Sequence, residues 1–331
     1  MISSPRTLDF REIEAIDAQA SSYMQEGIRL AESGNDVDAL VYFDHALELR
    51  RQLPADVAIH TYGLAACWLN RAEALSRHGP DHHALAIRAY DEALTVLRPL
   101  PHGDDARFSK RLAIALQNRA LLVAAQDPPT TADAIAALVD AIAILEGAEA
   151  MEIPERDYLL AVACVNLANI EASEATIVLE REASDAARRA LALVRTQEHD
   201  DAAAAEAGLK ARHVLCQIAA RRLSVQAERE MVMSDVHDAT DLADEGLDLI
   251  RNWERRGVGR FRNLASDFFR FGAWVYAYYQ PHFLDEFLSE RLDAQQYGHS
   301  YVQSREIQDA ARDIVVLRPT SLLRQDLQEG L

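Results

Sequence analysis

The sequence predicts an all-α protein built from stacked helical hairpins, and three observations carry that expectation. An Asn-centred tripeptide recurs at a fixed interval. Asn70-Arg71-Ala72, Asn118-Arg119-Ala120 and Asn166-Leu167-Ala168 lie 48 residues apart, with a fainter echo at Asn263-Leu264-Ala265. A period of that length belongs to supersecondary units that bury their apolar faces against one another. A second pattern, Ala-x3-large-x2-Ala, recurs as Ala39/Phe43/Ala46, Ala86/Tyr90/Ala93 and Ala134/Leu138/Ala141. Composition agrees: 49% of the 331 residues are apolar, with only 13 Gly and 10 Pro. That is enough to bury a core and poor in turn formers. Alanine, the best helix former, is abundant throughout.

The first hairpin is the clearest. Gly27-x2-Leu30-x3-Gly34 leads into the first Ala-x3-Phe-x2-Ala run, and Pro54 follows. Gly27, Ala39 and Ala46 are the small residues where two helices touch, and Tyr23, Leu30 and Phe43 fill between them. Gly34-Asn35-Asp36 makes the turn, and Asp36 is expected to cap the second helix. The second hairpin spans about 55–97, with Trp68-x3-Ala72-x2-Leu75-x3-Gly79 on its first helix. The third carries Leu116-x3-Ala120-x2-Val123, with its turn at Asp127-Pro128-Pro129. The fourth carries Cys164-x3-Ala168-x2-Glu171 and then Ala183-x3-Ala187-x2-Ala190; no Gly or Pro between Ala172 and Ala183 marks its turn. The fifth has Leu215-x3-Ala219 and a late Ala239-x3-Ala243-x2-Gly246, and a sixth starts at Phe261-x3-Ala265-x2-Phe268.

These runs resemble the tetratricopeptide repeat (TPR), whose helix-turn-helix places small residues where its helices meet. The resemblance covers roughly 23–292 and is densest in the first three hairpins. The units here run to roughly 45–56 residues against the usual ~34, so helices and links are lengthened. Long units with Asn-x-Ala on the first helix are similar to the TPR domains of kinesin light chains and bacterial peptide-pheromone receptors. The resemblance implies a right-handed superhelical solenoid of about six TPR-like hairpins with a C-terminal helical cap. No linker divides the chain, and prolines at 54, 99, 101 and 154 punctuate hairpin boundaries. The expected organisation is therefore one solenoid domain over 1–331, with repeats over about 21–292 and a cap over about 293–331.

Ten of the 22 aromatic residues fall between Phe261 and Phe287. Phe268, Phe269, Phe271, Trp274, Tyr276, Tyr278 and Tyr279 point all round a helix, so that helix must be enclosed. It reads as part of a cap, with an aromatic ligand pocket as the alternative. Beyond Asp293 two amphipathic stretches, 306–317 and 321–327, are split by Pro319.

Function classes narrow on charge. A formal net charge of −19 repels phosphate backbones, which excludes nucleic acid as an expected ligand. No stretch approaches the ~18 apolar residues of a membrane span, and the first twenty residues hold no apolar signal segment. Cys67, Cys164 and Cys216 form neither a disulfide framework nor a metal motif, and a reducing cytoplasm is the expected compartment. They read as buried structural thiols. There is no G-x-S-x-G, H-E-x-x-H or Walker loop. His78, Asp81, His82 and His83 flank Gly79-Pro80 in a turn. Imidazole and carboxylate ligate divalent metals, but polar residues are also the default there, so no metal or cofactor is assigned.

In the TPR frame the first helix of each unit lines the concave surface. The positions two residues before its small residue face that groove. They are Gln25, Asn70, Asn118, Asn166, Gln217 and Asn263, all primary amides. A carboxamide offers an acceptor oxygen and an NH2 donor, so it grips peptide C=O and N–H whatever the ligand's side chains. One rung per ~8–10 Å of helix spacing serves about three residues of extended peptide. The same amides would alternatively tie neighbouring helices together or bond water. Leu69, Ile114, Gln117, Leu121, Val162, Val165 and Asn169 are the expected groove neighbours. Arg260, Arg262 and Arg270 suit a ligand carboxylate, or form a solvated run. Arg71 and Arg119 either snorkel outward or reach the groove. The expected function is a non-enzymatic scaffold or regulator that binds an extended peptide or protein segment. The alternative is an enzyme or metal-binding protein with its site in the groove or at the His78–His83 turn.

Overall fold

In the computed structural model the described residues are 9–126, 130–174, 176–226, 233–280, 282–284 and 286–287. Among them the protein is all-helical, with no strand. Eleven α-helices are described: α1 Phe10–Glu32, α2 Asp36–Arg50, α3 Ala58–Arg77, α4 His83–Leu97, α5 Ala106–Ala124, α6 Thr131–Glu146, α7 Arg156–Ser173, α8 Ile177–Val194, α9 Ala202–Gln226, α10 Met233–Arg255 and α11 Arg262–Tyr279. Short 3-10 turns occupy Pro80–His82 and Ala148–Glu152. The expected turn at Asp127-Pro128-Pro129 and the expected cap over 293–331 lie outside the described residues. No helix among the described residues is long and apolar enough to cross a membrane.

The chain divides into two compact units, Met1–Asn166 and Leu167–Leu331, with the border inside α7. In the first unit α1 packs on α2, α3 on α4 and α5 on α6. The links α2–α3 and α4–α5 join successive pairs, and α1 touches α3 as α3 touches α5. The small residues make these pairs possible. Ala39, Ala46, Ala86, Ala93, Ala134 and Ala141 are all fully buried. Phe43, Tyr90 and Leu138, one from each second helix, fill the space between them and are buried in turn. At Gly27 a Cβ would stand 2.5 Å from the Phe43 ring, so only hydrogen fits there.

Helix starts follow local polar chemistry. Asp9 and Glu12 form a capping box at α1, with Glu12 N donating to Asp9 Oδ1 at 2.8 Å. Asp105 caps α5 by accepting from Arg107 N at 2.9 Å. At α2 the cap is Asn35, which accepts from Asp38 N, and not Asp36 as the sequence suggested. Gly34, at φ +81°, turns the chain one residue earlier, which moves the helix start forward. Asp36 becomes the first helical residue, where its charge favours the helix N-terminus, and its carboxylate pairs with Arg77 at 2.7 Å.

In the second unit Ala168 and Ala172 of α7 pack against Ala183 and Ala187 of α8 and against Val214, Leu215 and Ile218 of α9. The turn that sequence left obscure falls between the end of α7 at Ser173 and the start of α8 at Ile177. Thr176 Oγ1 accepts from Leu179 N at 3.3 Å and starts α8. Further on, α10 packs on α9 and on α11. Phe261, Phe268, Phe269 and Phe287 are buried there with Leu209, Leu247, Ile250 and Trp253. Contrary to the sequence expectation, the aromatic helix is not enclosed all round. Phe268 and Phe269 are buried, but Phe271, Trp274, Tyr276 and Tyr279 are half-buried, because Asn263, Asp267 and Arg270 form an exposed polar face. Phe283, beyond the helix, stands 55% exposed.

An ionic contact missed in the sequence sits in this unit. Arg212 occupies the repeat position filled by Ala65, Ala113 and Ala161 in other first helices. Its guanidinium is buried and bidentate to buried Glu198 at 2.7 and 2.9 Å, and it also donates to Glu245 at 3.0 and 3.1 Å. Trp253 Nε1 donates to the Glu198 carbonyl at 2.9 Å. Removing one partner of such a pair leaves an uncompensated buried charge.

The three repeat alanines give a direct check on register. Ala39→Leu, Ala86→Leu and Ala134→Leu should each lower stability by ~1–3 kcal/mol through overpacking. Chemical denaturation measures it, and three unchanged midpoints would show that these positions are not close helix contacts.

Candidate functional site

The first helices α1, α3, α5 and α7 present Gln25, Asn70, Asn118 and Asn166 at matching repeat positions. Gln25 is exposed and the three asparagines are half-buried. Their bonding differs. Asn70 Nδ2 donates to the Ala66 carbonyl of its own helix at 2.8 Å. Its oxygen and second amide hydrogen have no protein partner among the described residues. Asn118 instead interacts with the hydroxyl of Tyr90, on the second helix of the preceding pair. Burial pushes that hydroxyl up to about 12, and the Asn118 contact acts against the shift. The residue opposite explains the difference. Tyr90 supplies a hydroxyl, whereas its repeat equivalent near Asn70 is Phe43, which offers none. One rung is therefore tied to a neighbouring helix while another stays uncommitted.

Asn70 lines a cleft of about 210 Å³ with Ile28, Ala31 and Glu32 of α1, Phe43 of α2, and Glu73 and Arg77 of α3. Leu69, Ile114 and Val162 are half-buried, and Leu121 and Asn169 are exposed. Val165 does not line an open groove, because it is buried at 5% exposure. Gln117, one residue before Asn118, is also buried, and its Nε2 has no hydrogen-bond partner. A single residue step turns the side chain by about 100° round the helix, toward the core.

In the second unit Gln217 and Asn263 are exposed on α9 and α11. The arginine run is less available than its sequence implied. Arg260 donates to the Ala202 carbonyl at 2.7 Å, pairs with Glu206 at 3.4 Å and lies over the Phe261 ring. Arg270 is exposed, and the side chain of Arg262 is not among those described.

Arg71 and Arg119 turn away from the first-helix face. Each pairs with an aspartate on the preceding second helix, Arg71 with Asp44 at 2.7 Å and Arg119 with Asp91 at 2.6 Å. These equivalent pairs stand in equivalent clefts of about 390 and 430 Å³ between successive second helices. In the first of them the Arg51 and Arg71 guanidinium groups lie 5.0 and 5.8 Å from the Trp68 ring centroid. The third tripeptide has Leu167 in the arginine's place.

At the histidine turn, His78 and His82 meet edge to face with ring centroids 4.7 Å apart. Among the described residues no group of three His, Cys, Asp or Glu side chains is placed to hold a metal ion. The three cysteines are buried, and burial pushes the Cys67 thiol up to about 11.

Glu171 on α7 carries a strongly displaced carboxyl. It occupies the core position of Leu75 and Val123, is itself buried, and its Oε2 lacks a partner. Burial first, and the nearby Glu182 charge second, push it up to about 7. A carboxyl raised in the folded state holds its proton there at pH values where the unfolded chain has lost it. Stability is then full below about pH 4.5, falls as pH rises toward 7, and levels off above. Glu171→Gln should flatten that profile. It should be more stable than the parent at pH 8, by on the order of 2 kcal/mol, with the gap closing toward pH 5. Melts across that range measure it, and parallel profiles would refute the assignment.

Against known proteins, no family model matches the chain and no curated relative matches its sequence.

Proposed function

We propose that the chain is a TPR-like scaffold whose first-helix face binds an extended peptide or protein segment without catalysing a reaction. On this reading the helix pairs form a right-handed superhelical solenoid, in the cytoplasm, with the first helices lining its inner surface. The packing of the first unit supports this. First helices touch one another, α1 with α3 and α3 with α5, whereas among the described residues α2 does not touch α4 and α4 does not touch α6. The observation that carries the reading is Asn70. Its carboxamide is half-buried in an open cleft with an oxygen and an N–H uncommitted, the two groups a peptide backbone needs. The net charge of −19 argues for a protein partner over a nucleic acid.

The asparagines separate binding from stability. Asn70→Ala removes only a bond within its own helix, so its melt should match the parent. Two ligand hydrogen bonds lost at ~0.5–1.5 kcal/mol each should weaken binding roughly five- to 150-fold. Asn118→Ala should also lower stability, by ~0.5–1.5 kcal/mol, because it loses Tyr90. The measurement is fluorescence anisotropy with a labelled peptide selected from a displayed random library, beside a thermal melt. Normal binding by folded Asn70→Ala would overturn the proposal, as would failure of any library peptide to bind.

A further inference from the structure

We infer that the cleft between α1 and α3 is a subsite for a basic side chain, Lys or Arg, of the bound segment. The inference rests on the first-helix face being the binding surface. At about 210 Å³ the cleft is smaller than the ~300–1,000 Å³ of small-molecule pockets, so it takes one side chain of a longer ligand. Its walls are divided. Ile28, Ala31 and Phe43 supply apolar surface, and Glu32 and Glu73 supply carboxylates. A Lys or Arg has the same division, an apolar stem with a charged head.

The charges in and beside the cleft do not balance among themselves. Arg77 is its one cation. It is already held by Asp36 at 2.7 and 3.1 Å and by Glu73 at 2.7 Å. Glu32 has no ion partner among the described residues. Three carboxylates, Glu32 and Glu73 in the cleft and Asp36 beside it, are thus set against one guanidinium, which only Asp36 and Glu73 contact. An acidic ligand side chain would meet that excess as repulsion, and an apolar one would desolvate carboxylates without pairing them. The uncommitted Asn70 oxygen adds a further acceptor for an ammonium or guanidinium donor. The chain's net charge of −19 raises the encounter rate with basic segments. In the clefts on the opposite face each repeat arginine is paired with an aspartate, Arg71 with Asp44 and Arg119 with Asp91.

The test uses the full chain and fluorescein-labelled nonapeptide libraries, random except for a central residue fixed as Lys, Arg, Glu or Leu. Lys- and Arg-fixed libraries should bind more tightly than the Leu-fixed one, and the Glu-fixed library least. Glu32→Gln and Glu73→Gln should each cut the preference for Lys and Arg roughly two- to fivefold, the range of an exposed ion pair. Binding of the Leu-fixed library should not weaken, because a neutral amide costs less to desolvate than a carboxylate. Glu32→Lys should move the preference toward Glu. Glu92→Gln, on the opposite face, controls for the general field and should leave the preference intact. Thermal melts establish that each variant is folded. A preference that survives the double variant Glu32→Gln/Glu73→Gln would overturn the inference. Binding that depends on Asn70 but ignores ligand charge would overturn it while leaving the first-helix face as the binding surface. Absence of binding by every library would overturn both.

Discussion

Close approach of paired helices at alanine and glycine is the constraint on which the rest depends. A helix pair separated by larger residues would leave no slot for the single large side chain that each second helix inserts. In the first unit Phe43, Tyr90 and Leu138 each lie between flanking buried alanines. Gly27 shows how tight the fit is, since even a methyl group would enter the Phe43 ring. Dispersion falls off steeply with distance, so register and spacing are set at these contacts. Every other side chain on the first helices is then phased relative to its small residue.

That phasing governs the amides. A residue two positions before the small contact is half-buried on α3, α5 and α7 and exposed on α1. On α5 and α7 the residue three positions before it turns toward the core, as Gln117 and Val165 do, whereas Leu69 on α3 is half-buried. Whether an amide stays free depends on what the neighbouring helix places against it. Tyr90 engages Asn118, whereas Phe43 leaves Asn70 to its own backbone. Chemistry at the candidate site thus varies from rung to rung although the backbone pattern repeats.

Charge is handled locally despite the acidic total. Arg71 and Arg119 join successive pairs through Asp44 and Asp91, at separations of 27 and 28 residues. In the second unit a buried Arg212–Glu198 pair stands where other first helices have alanine. The substitution replaces dispersion with a hydrogen-bonded ion pair, which demands exact partners but adds little net stability over apolar packing. Glu171 is the opposite case, a carboxyl in a leucine position with an oxygen unpaired. Its proton makes this part of α7 responsive to pH near neutrality.

The sequence by itself determined the helical class and the buried identity of the repeat alanines in the first three helix pairs, though α1 begins at Phe10, ahead of the expected start near residue 21. These follow from spacings within one helix and from the loss of turn formers elsewhere, both local signals. It also marked the aromatic segment as a source of core residues, which holds for Phe268 and Phe269, while Asn263, Asp267 and Arg270 give the helix a polar exposed face. Only the tertiary structure decided where Arg71 and Arg119 point, which amide is tied, and that Asn35 caps α2. It alone brought Glu198 to Arg212, and it showed Glu171 buried in a leucine position. Each of those outcomes depends on local backbone geometry or on the residue that a neighbouring helix places opposite. A repeat pattern predicts that a neighbour is there, but the atoms it offers, a ring or a hydroxyl, a carboxylate or a methyl, are set by packing between helices distant in sequence.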